Sequence, residues 1–172
     1  MTSLQAKIVR VTKVSRSRKM CIALLRGEAY VSVQRSLSGS MVPLCDVLMD
    51  KRVLIVDDST PVRGLVRAFI ELRAGIKVCG EAADGFEGVE KGLDLKPDVI
   101  ILDFSMPRIN GLQAALMLHQ ASPHTPIILF TIHNNTALER LAHNVGVASV
   151  VSKTDQLTFL VDEVQRLTAF PN

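Results

Sequence analysis

From Lys51 onward, short apolar runs alternate with stretches whose apolar residues recur at three- and four-residue spacing. That rhythm predicts an α/β domain in which five strands form a parallel sheet with helices on both faces. Strand one is Arg52 to Val56. Ser59 or Thr60 caps the next helix, Pro61 sits in its first turn, and Val62, Leu65, Val66, Phe69 and Ile70 form its apolar face. Gly75 is expected at its end. Strand two runs from about Lys77 to Ala82, and Asp84-Gly85 turns into a helix carrying Phe86, Val89 and Leu93. After Pro97, strand three is Asp98 to Leu102, the loop Phe104 to Asn110 follows, and Gly111 opens a helix with Leu112, Ala115, Leu116 and Leu118. Strand four is Ile127 to Thr131, with a helix from about Asn135 to Asn144 and a left-handed stop at Gly146. Strand five is Ala148 to Ser152. Thr154 or Asp155 caps a last helix whose stripe is Leu157, Leu160, Val161, Val164 and Leu167.

The first fifty residues lack that rhythm. Ile8 to Val14 alternates loosely like a strand, and Ser36 to Ser40 reads as linker. The expected organisation is a basic extension over residues 1–50 and one domain over 51–168. Met49 stands immediately before Asp50-Lys51-Arg52, so residues 1–48 are read either as an appendage or as a product of start-site choice.

At 172 residues and 48% apolar content, the chain has ample material for one core plus an extension. No apolar stretch approaches the roughly 18 residues of a membrane span, and the short run Met20 to Leu25 is followed by Arg26 and Glu28 rather than a signal cleavage site. Cys21, Cys45 and Cys79 have neither metal nor redox spacing, which fits reduced thiols in a cytoplasm. The net charge of +3 is unevenly spread: residues 1–50 hold eight Lys/Arg against three Asp/Glu, so the remainder is acidic. The basic stretch Arg10 to Lys19 lacks aromatic interleaving and reads as a solvated extension rather than a nucleic-acid contact.

The chemistry is expected at strand ends. Val53-Leu54-Ile55-Val56 finishes in Asp57-Asp58, and Val99-Ile100-Ile101-Leu102 finishes in Asp103. If these strands are neighbours, three negative charges converge, and each close pair repels by roughly 4 kcal/mol at 4 Å and an effective dielectric of about 20. The remedy is a hard divalent cation, with Mg²⁺ favoured where carboxylates supply only part of an octahedral shell. In a doubly wound sheet, ligands bind beyond the carboxyl ends of the strands, where the winding reverses. Thr131 and Lys153 fall on that same edge.

The motifs Leu54-Ile55-Val56-Asp57-Asp58-Ser59, Ile101-Leu102-Asp103-Phe104-Ser105-Met106-Pro107 with Asn110-Gly111, then Thr131, then Val151-Ser152-Lys153, resemble the receiver domain of two-component response regulators. The resemblance covers roughly Lys51 to Leu167, and local sequence after Gly146 is similar to receivers that carry a helix-turn-helix. It implies a flavodoxin-like sheet of strand order 2-1-3-4-5. It further implies that Asp103 is the phosphoacceptor for a histidine kinase or histidine phosphotransfer protein. Asp58 and Asp103 would hold Mg²⁺, with Asp57 acting through water and the Ser105 backbone carbonyl as a further ligand. Lys153 and Thr131 would contact the phosphoryl oxygens, and Thr131 would draw its loop and helix with it. Two-component signalling in the cytoplasm, with an unknown downstream protein target, no DNA-binding domain and no membrane contact, is the implied setting. A homodimer through the last two helices is a further expectation.

Three departures from the family pattern stand out. An aromatic often found three residues before the lysine is replaced by Val150, and the chain's only tyrosine is Tyr30. Ser105 stands where a longer polar residue is common, and Ile132 where Ala or Gly is often seen. Ile132 should hinder water and lengthen the life of an acyl phosphate. Taken singly, a strand-end acid caps a helix, a loop lysine is solvated, and His119, His124, His133 and His143 are dispersed surface residues; it is the convergence of acids, hydroxyl and ammonium that points to function. The competing readings are a Mg²⁺-dependent phosphohydrolase, whose usual second acid two residues beyond the nucleophile is lacking here, and a degenerate receiver that serves only as a scaffold. The chain is accordingly expected to be an autocatalytic phosphoacceptor rather than a turnover enzyme.

Overall fold

The computed structural model of the chain describes residues 7–15, 18–25, 28–33, 42–43, 50–133 and 135–168. Two units are present, residues 1–50 and 51–172. In the first, β1 (Lys7–Ser15), β2 (Arg18–Leu25), β3 (Glu28–Val33) and β4 (Val42–Pro43) pair antiparallel in sequential order. The sequence singles out only the first of these strands. Met20 to Leu25 is a continuous apolar run without a period-2 signature, so its place in a sheet is not legible from pattern alone. The expected linker Ser36 to Ser40 lies outside the described residues.

In the second unit, β5 (Lys51–Val56), β6 (Ile76–Ala82), β7 (Val99–Asp103), β8 (Ile127–Thr131) and β9 (Ser149–Ser152) are parallel, in the order β6-β5-β7-β8-β9. The helices between and after them are α1 (Thr60–Glu71), α2 (Gly85–Leu95), α3 (Gly111–Ala121), α4 (Thr136–Asn144) and α5 (Leu157–Thr168). This is the five-stranded, doubly wound, flavodoxin-like order expected from the sequence. Alternation along each strand divides the core. Val53, Ile55, Ile101 and Ile128 pack with Val66 and Ile70 of α1 and Leu160, Val161 and Val164 of α5. Leu54, Val56, Ile100, Leu102 and Leu129 pack on the other face with Val89 of α2, Ala114, Ala115 and Leu118 of α3, and Leu138 and Ala142 of α4. Both faces of the central strands are therefore dry, which is why β5 and β7 read as unbroken apolar runs.

Most boundaries fall where the pattern put them. One exception is Gly75: α1 ends at Glu71 with Leu72 as its C-cap, whereas Gly75, at φ +82°, lies in the turn that enters β6. Its carbonyl accepts the Lys51 N–H at 2.8 Å, so the left-handed residue belongs to the strand-entry turn. Ser59 is the N-cap of α1 but makes no side-chain capping bond. Thr154 likewise turns away from α5, its hydroxyl lying 2.7 Å from that of Ser152. Gly146 is left-handed, at φ +87°, as expected. Among the described residues, no helix is long and apolar enough to cross a membrane.

Candidate functional site

The chain moves outward from β5 to β6, then returns past β5 to β7, so the winding reverses between β5 and β7. Asp57 follows the first of these strands and Asp103 ends the second. Register places Val56 beside Leu102, so the two acids emerge together. Both are buried, at 2% and 4% exposure, while Asp58 is exposed. One carboxylate oxygen from each of Asp57, Asp58 and Asp103 lies within 4.8 Å of the other two.

Lys153 enters this cluster from the end of β9. Its N–H donates to the Thr131 carbonyl at 2.8 Å, and its ammonium lies 2.6 Å from Asp57 Oδ2 and 2.9 Å from Asp103 Oδ1. The ammonium also stands 5.7 Å from the centroid of the Phe130 ring, the residue paired with Asp103 across the sheet. Burial alone would lower the Lys153 pKa, but the bonds to Asp57 and Asp103 outweigh it and the group titrates above its usual range. Asp103 moves upward too. Burial is the main cause, the Asp57 charge adds to it, and the opposing pulls of Lys153 and the Ser105 N–H are insufficient. Asp57 accepts the Ser59 N–H at Oδ1, which fixes its carboxylate plane.

The loop after Asp103 is held at both ends. The Gly111 N–H donates to the Phe104 carbonyl at 2.9 Å, and a β-carbon at Gly111 would overlap the Asp103 backbone, so this close return of the chain requires glycine. Asn110 and Gln113 form a reciprocal capping box that starts α3. Met106 and Ile109 pack against the core beneath. Ser105 therefore sits on a constrained segment, its N–H directed at the Asp103 carboxylate.

Of the six residues expected at the site, the structure brings Asp57, Asp58, Asp103 and Lys153 into one cluster and places Ser105 on its rim. Thr131 ends the adjacent strand, fully buried, but its hydroxyl accepts the His133 N–H at 3.0 Å rather than joining the ammonium contacts. Three oxygen donors with one shared ammonium leave the cluster short of positive charge, and hard carboxylates at this spacing suit a small divalent cation. Two supporting features were not anticipated. Arg63 reaches back to the Asp57 carbonyl. Arg108, left-handed at φ +70°, forms an ion pair with Asp84, which also caps α2. Neither has a local sequence signature beyond a basic residue in a loop or first turn.

The model of the response regulator receiver domain family matches residues 53–165. The chemotaxis protein CheY of Thermotoga maritima is 34% identical over 120 residues, covering 70% of this chain and 99% of that protein. A protein-glutamate methylesterase/protein-glutamine glutaminase of Archaeoglobus fulgidus is 42% identical over 105 residues, but the match covers 60% of this chain and only 30% of that protein. Among solved structures, a two-component response regulator of the LuxR family from Aurantimonas sp. SI85-9A1 superposes with a TM-score of 0.68 at 30% identity, covering 70% of this chain and 86% of the other. The receiver domain of the response regulator NarL from Mycobacterium tuberculosis gives 0.68 at 28% identity, covering 72% and 99%.

Proposed function

This chain belongs to the response regulator receiver domain family, and from that premise we propose that Asp103 accepts a phosphoryl group from a histidine kinase or histidine phosphotransfer protein. The observation that carries the proposal is the convergence of three carboxylates within 4.8 Å around one ammonium at the sheet's switch point. Phosphorylation on aspartate is general to the family; the assignment to Asp103 rests on its burial beside Lys153 at the end of the central strand.

Asp58, Asp103 and the Ser105 carbonyl would hold Mg²⁺, with Asp57 in support through water. When bound, the ion neutralises charge on the phosphoryl oxygens and offsets the mutual repulsion of the acids. The donor set fits it, being all oxygen, clustered and short of positive charge. The residues perform the remaining work. An Asp103 oxygen attacks phosphorus, an O–P bond forms, and the donor's N–P bond breaks with its electron pair returning to the imidazole. Lys153 is a mobile point charge already within bonding distance of Asp103, and can follow the transferred oxygens. Ser105 steadies the Asp103 carboxylate through its N–H.

For output, the Thr131 hydroxyl exchanges the His133 N–H for a phosphoryl oxygen, drawing the β8–α4 loop towards the site. Half-buried Val150 packs against the core with no aromatic ring to swing, so the change is read on that loop and on α4 and α5, where Leu141 and Phe159 are 54% and 61% exposed. A downstream protein or a second copy of the chain would bind there. Such a switch requires several kcal/mol of preference for one conformation once phosphorylated. The setting we assign is cytoplasmic signalling. The methylesterase relatives match only over their receiver portion, and their activity is not carried over.

The test is incubation with acetyl phosphate and Mg²⁺, followed by intact mass. One added phosphoryl group, absent in Asp103→Ala, is the expected result. Continuous phosphate release would indicate a hydrolase, and an unreactive chain would indicate a scaffold.

A further inference from the structure

Arg63 lies in the first turn of α1 with its side chain only 12% exposed, and its guanidinium has three acceptors in three directions. Nη1 donates to the main-chain carbonyl of Asp57 at 2.8 Å, Nη2 to the Thr60 hydroxyl at 3.0 Å, and Nε to Glu81 at 3.1 Å. The Asp57 carbonyl belongs to the peptide joining Asp57 to Asp58. Rotation of that one peptide plane would swing the two carboxylates relative to each other. On its other side Asp57 is already anchored, because its N–H donates to the Ala82 carbonyl at 3.1 Å. The carbonyl is thus the free hinge of the acid pair, and Arg63 closes it.

Glu81, next to Ala82 at the end of β6, sets the direction of that guanidinium. Its carboxylate accepts from Arg63 on one oxygen and from Arg67 on the other, the latter at 2.6 Å. Without it, two guanidiniums one turn apart on α1 would lose their shared counter-charge and Arg63 its orienting partner. An ammonium could not replace Arg63, because a lysine cannot present planar donors to three separated acceptors.

We propose that Arg63, oriented by Glu81, is a positioning residue for the cation site, holding the Asp57–Asp58 peptide so that the acids converge before the ion arrives. The inference rests on the reading that these acids hold Mg²⁺. Electrostatics sharpens it, because a nearby guanidinium repels an incoming cation. Removing that charge should by itself tighten Mg²⁺ binding, whereas losing the positioning should weaken it. Loss of the groups that orient metal ligands typically weakens affinity by about 10- to 100-fold.

The test is calorimetric titration of the full chain with MgCl₂, in the wild type, Arg63→Met, Arg63→Lys and Glu81→Gln, with thermal unfolding of each measured without metal. The wild type takes up Mg²⁺. Both Arg63 variants bind roughly tenfold or more weakly, even though lysine keeps the charge, and Glu81→Gln falls between them and the wild type. In acetyl phosphate labelling, the half-saturating Mg²⁺ rises in step, while the rate at saturating Mg²⁺ stays near that of the wild type. A dissociation constant that stays unchanged while the unfolding midpoint falls overturns the proposal, because it leaves Arg63 a role in stability alone. Tighter binding in Arg63→Met overturns it as well. Should that variant fail to fold, Arg63→Lys and Glu81→Gln decide the matter by the same criteria. Absence of Mg²⁺ uptake by the wild type overturns the cation reading itself, a result distinguishable from any difference among variants.

Discussion

Asp103 ends β7 and Glu81 lies one residue before the end of β6, on either side of β5 in one sheet, and both touch cationic side chains, yet their carboxyl groups are perturbed in opposite directions. Burial raises Asp103 in spite of Lys153. The Arg67 and Arg63 bonds hold Glu81 below the usual range in spite of partial burial. The difference lies in stoichiometry. One ammonium serves Asp57 and Asp103 together, in a place with little water, whereas one Glu81 carboxylate has two guanidiniums at a half-exposed edge. The first cluster is left with unresolved negative charge, which suits the cation and phosphoryl group proposed for it. The second is satisfied, and serves to hold the backbone of the first.

Replacing Lys153 with Met is expected to break this comparison most severely. Two buried carboxylates would then face each other with no counter-charge, and removing one partner of a buried ion pair costs about 3–5 kcal/mol. Urea unfolding without Mg²⁺ should show that loss. Added Mg²⁺ should restore more stability to Lys153→Met than it adds to the wild type, because in the variant the ion is the only remaining counter-charge. A loss no greater than that of an exposed lysine would show that the ammonium is not holding the acids together.

Much of this contrast is legible in the sequence, and part is not. The acids announce themselves because each terminates a strand buried on both faces, where the apolar run is continuous and the polar residue ending it is conspicuous. Thr131 and Lys153 fall on the same edge at the ends of β8 and β9, and taken singly neither stands out; the acids at that edge are what mark them. Arg63 and Glu81 carry no such mark: Arg63 is one more polar residue on an amphipathic helix, Glu81 one of two charged residues on an edge strand, and only the pairing of α1 with β6 shows what they touch. The Arg108 and Asp84 pair is hidden for the same reason, since 24 positions separate residues joined by a loop returning over α2. The antiparallel strand Arg18–Leu25 escaped because its apolar residues run on without alternating, and Glu28–Val33 because an alternating stretch of six residues is too short to stand out. Local periodicity thus reveals what a strand end offers; contacts between elements remain invisible to it.

A gentler probe separates the two carboxylates by the sign of their pH dependence in Mg²⁺-free buffer. Asp103 has a raised folded pKa, so its favourable contribution is fully present below the unfolded value and is lost as pH rises through the folded one. Asp103→Asn, which cannot ionise, should therefore be more stable than the wild type near neutrality and lose that advantage in acid. Glu81 has a lowered folded pKa, so its contribution is present above the unfolded value and lost as pH falls through the folded one. Glu81→Gln should be less stable than the wild type near neutrality by about 1 kcal/mol, given the partial exposure of the pair, with the difference vanishing in acid. Unfolding midpoints followed from neutral pH down through and below the ordinary carboxylate range read both slopes, that of Asp103 above its usual value and that of Glu81 below it. Parallel slopes would mean that the two clusters do not differ in charge balance.

The smallest effect expected concerns the rim of the charged site. Ile132 follows buried Thr131 at the strand end that borders the site and is 62% exposed, so its branched side chain does not support the core. If Asp103 carries the phosphoryl group, that side chain should hinder the water that hydrolyses it, and Ile132→Ala should lose the label faster. A barrier change near 1 kcal/mol corresponds to roughly fivefold in rate, measurable by following the phosphorylated mass after removal of acetyl phosphate. Stability should change by no more than about 0.5 kcal/mol, as for exposed positions generally, so faster decay could not be ascribed to unfolding. Equal or slower decay would show that attack on the acyl phosphate does not pass over Ile132, and that its lifetime is set by Lys153 and the acids alone.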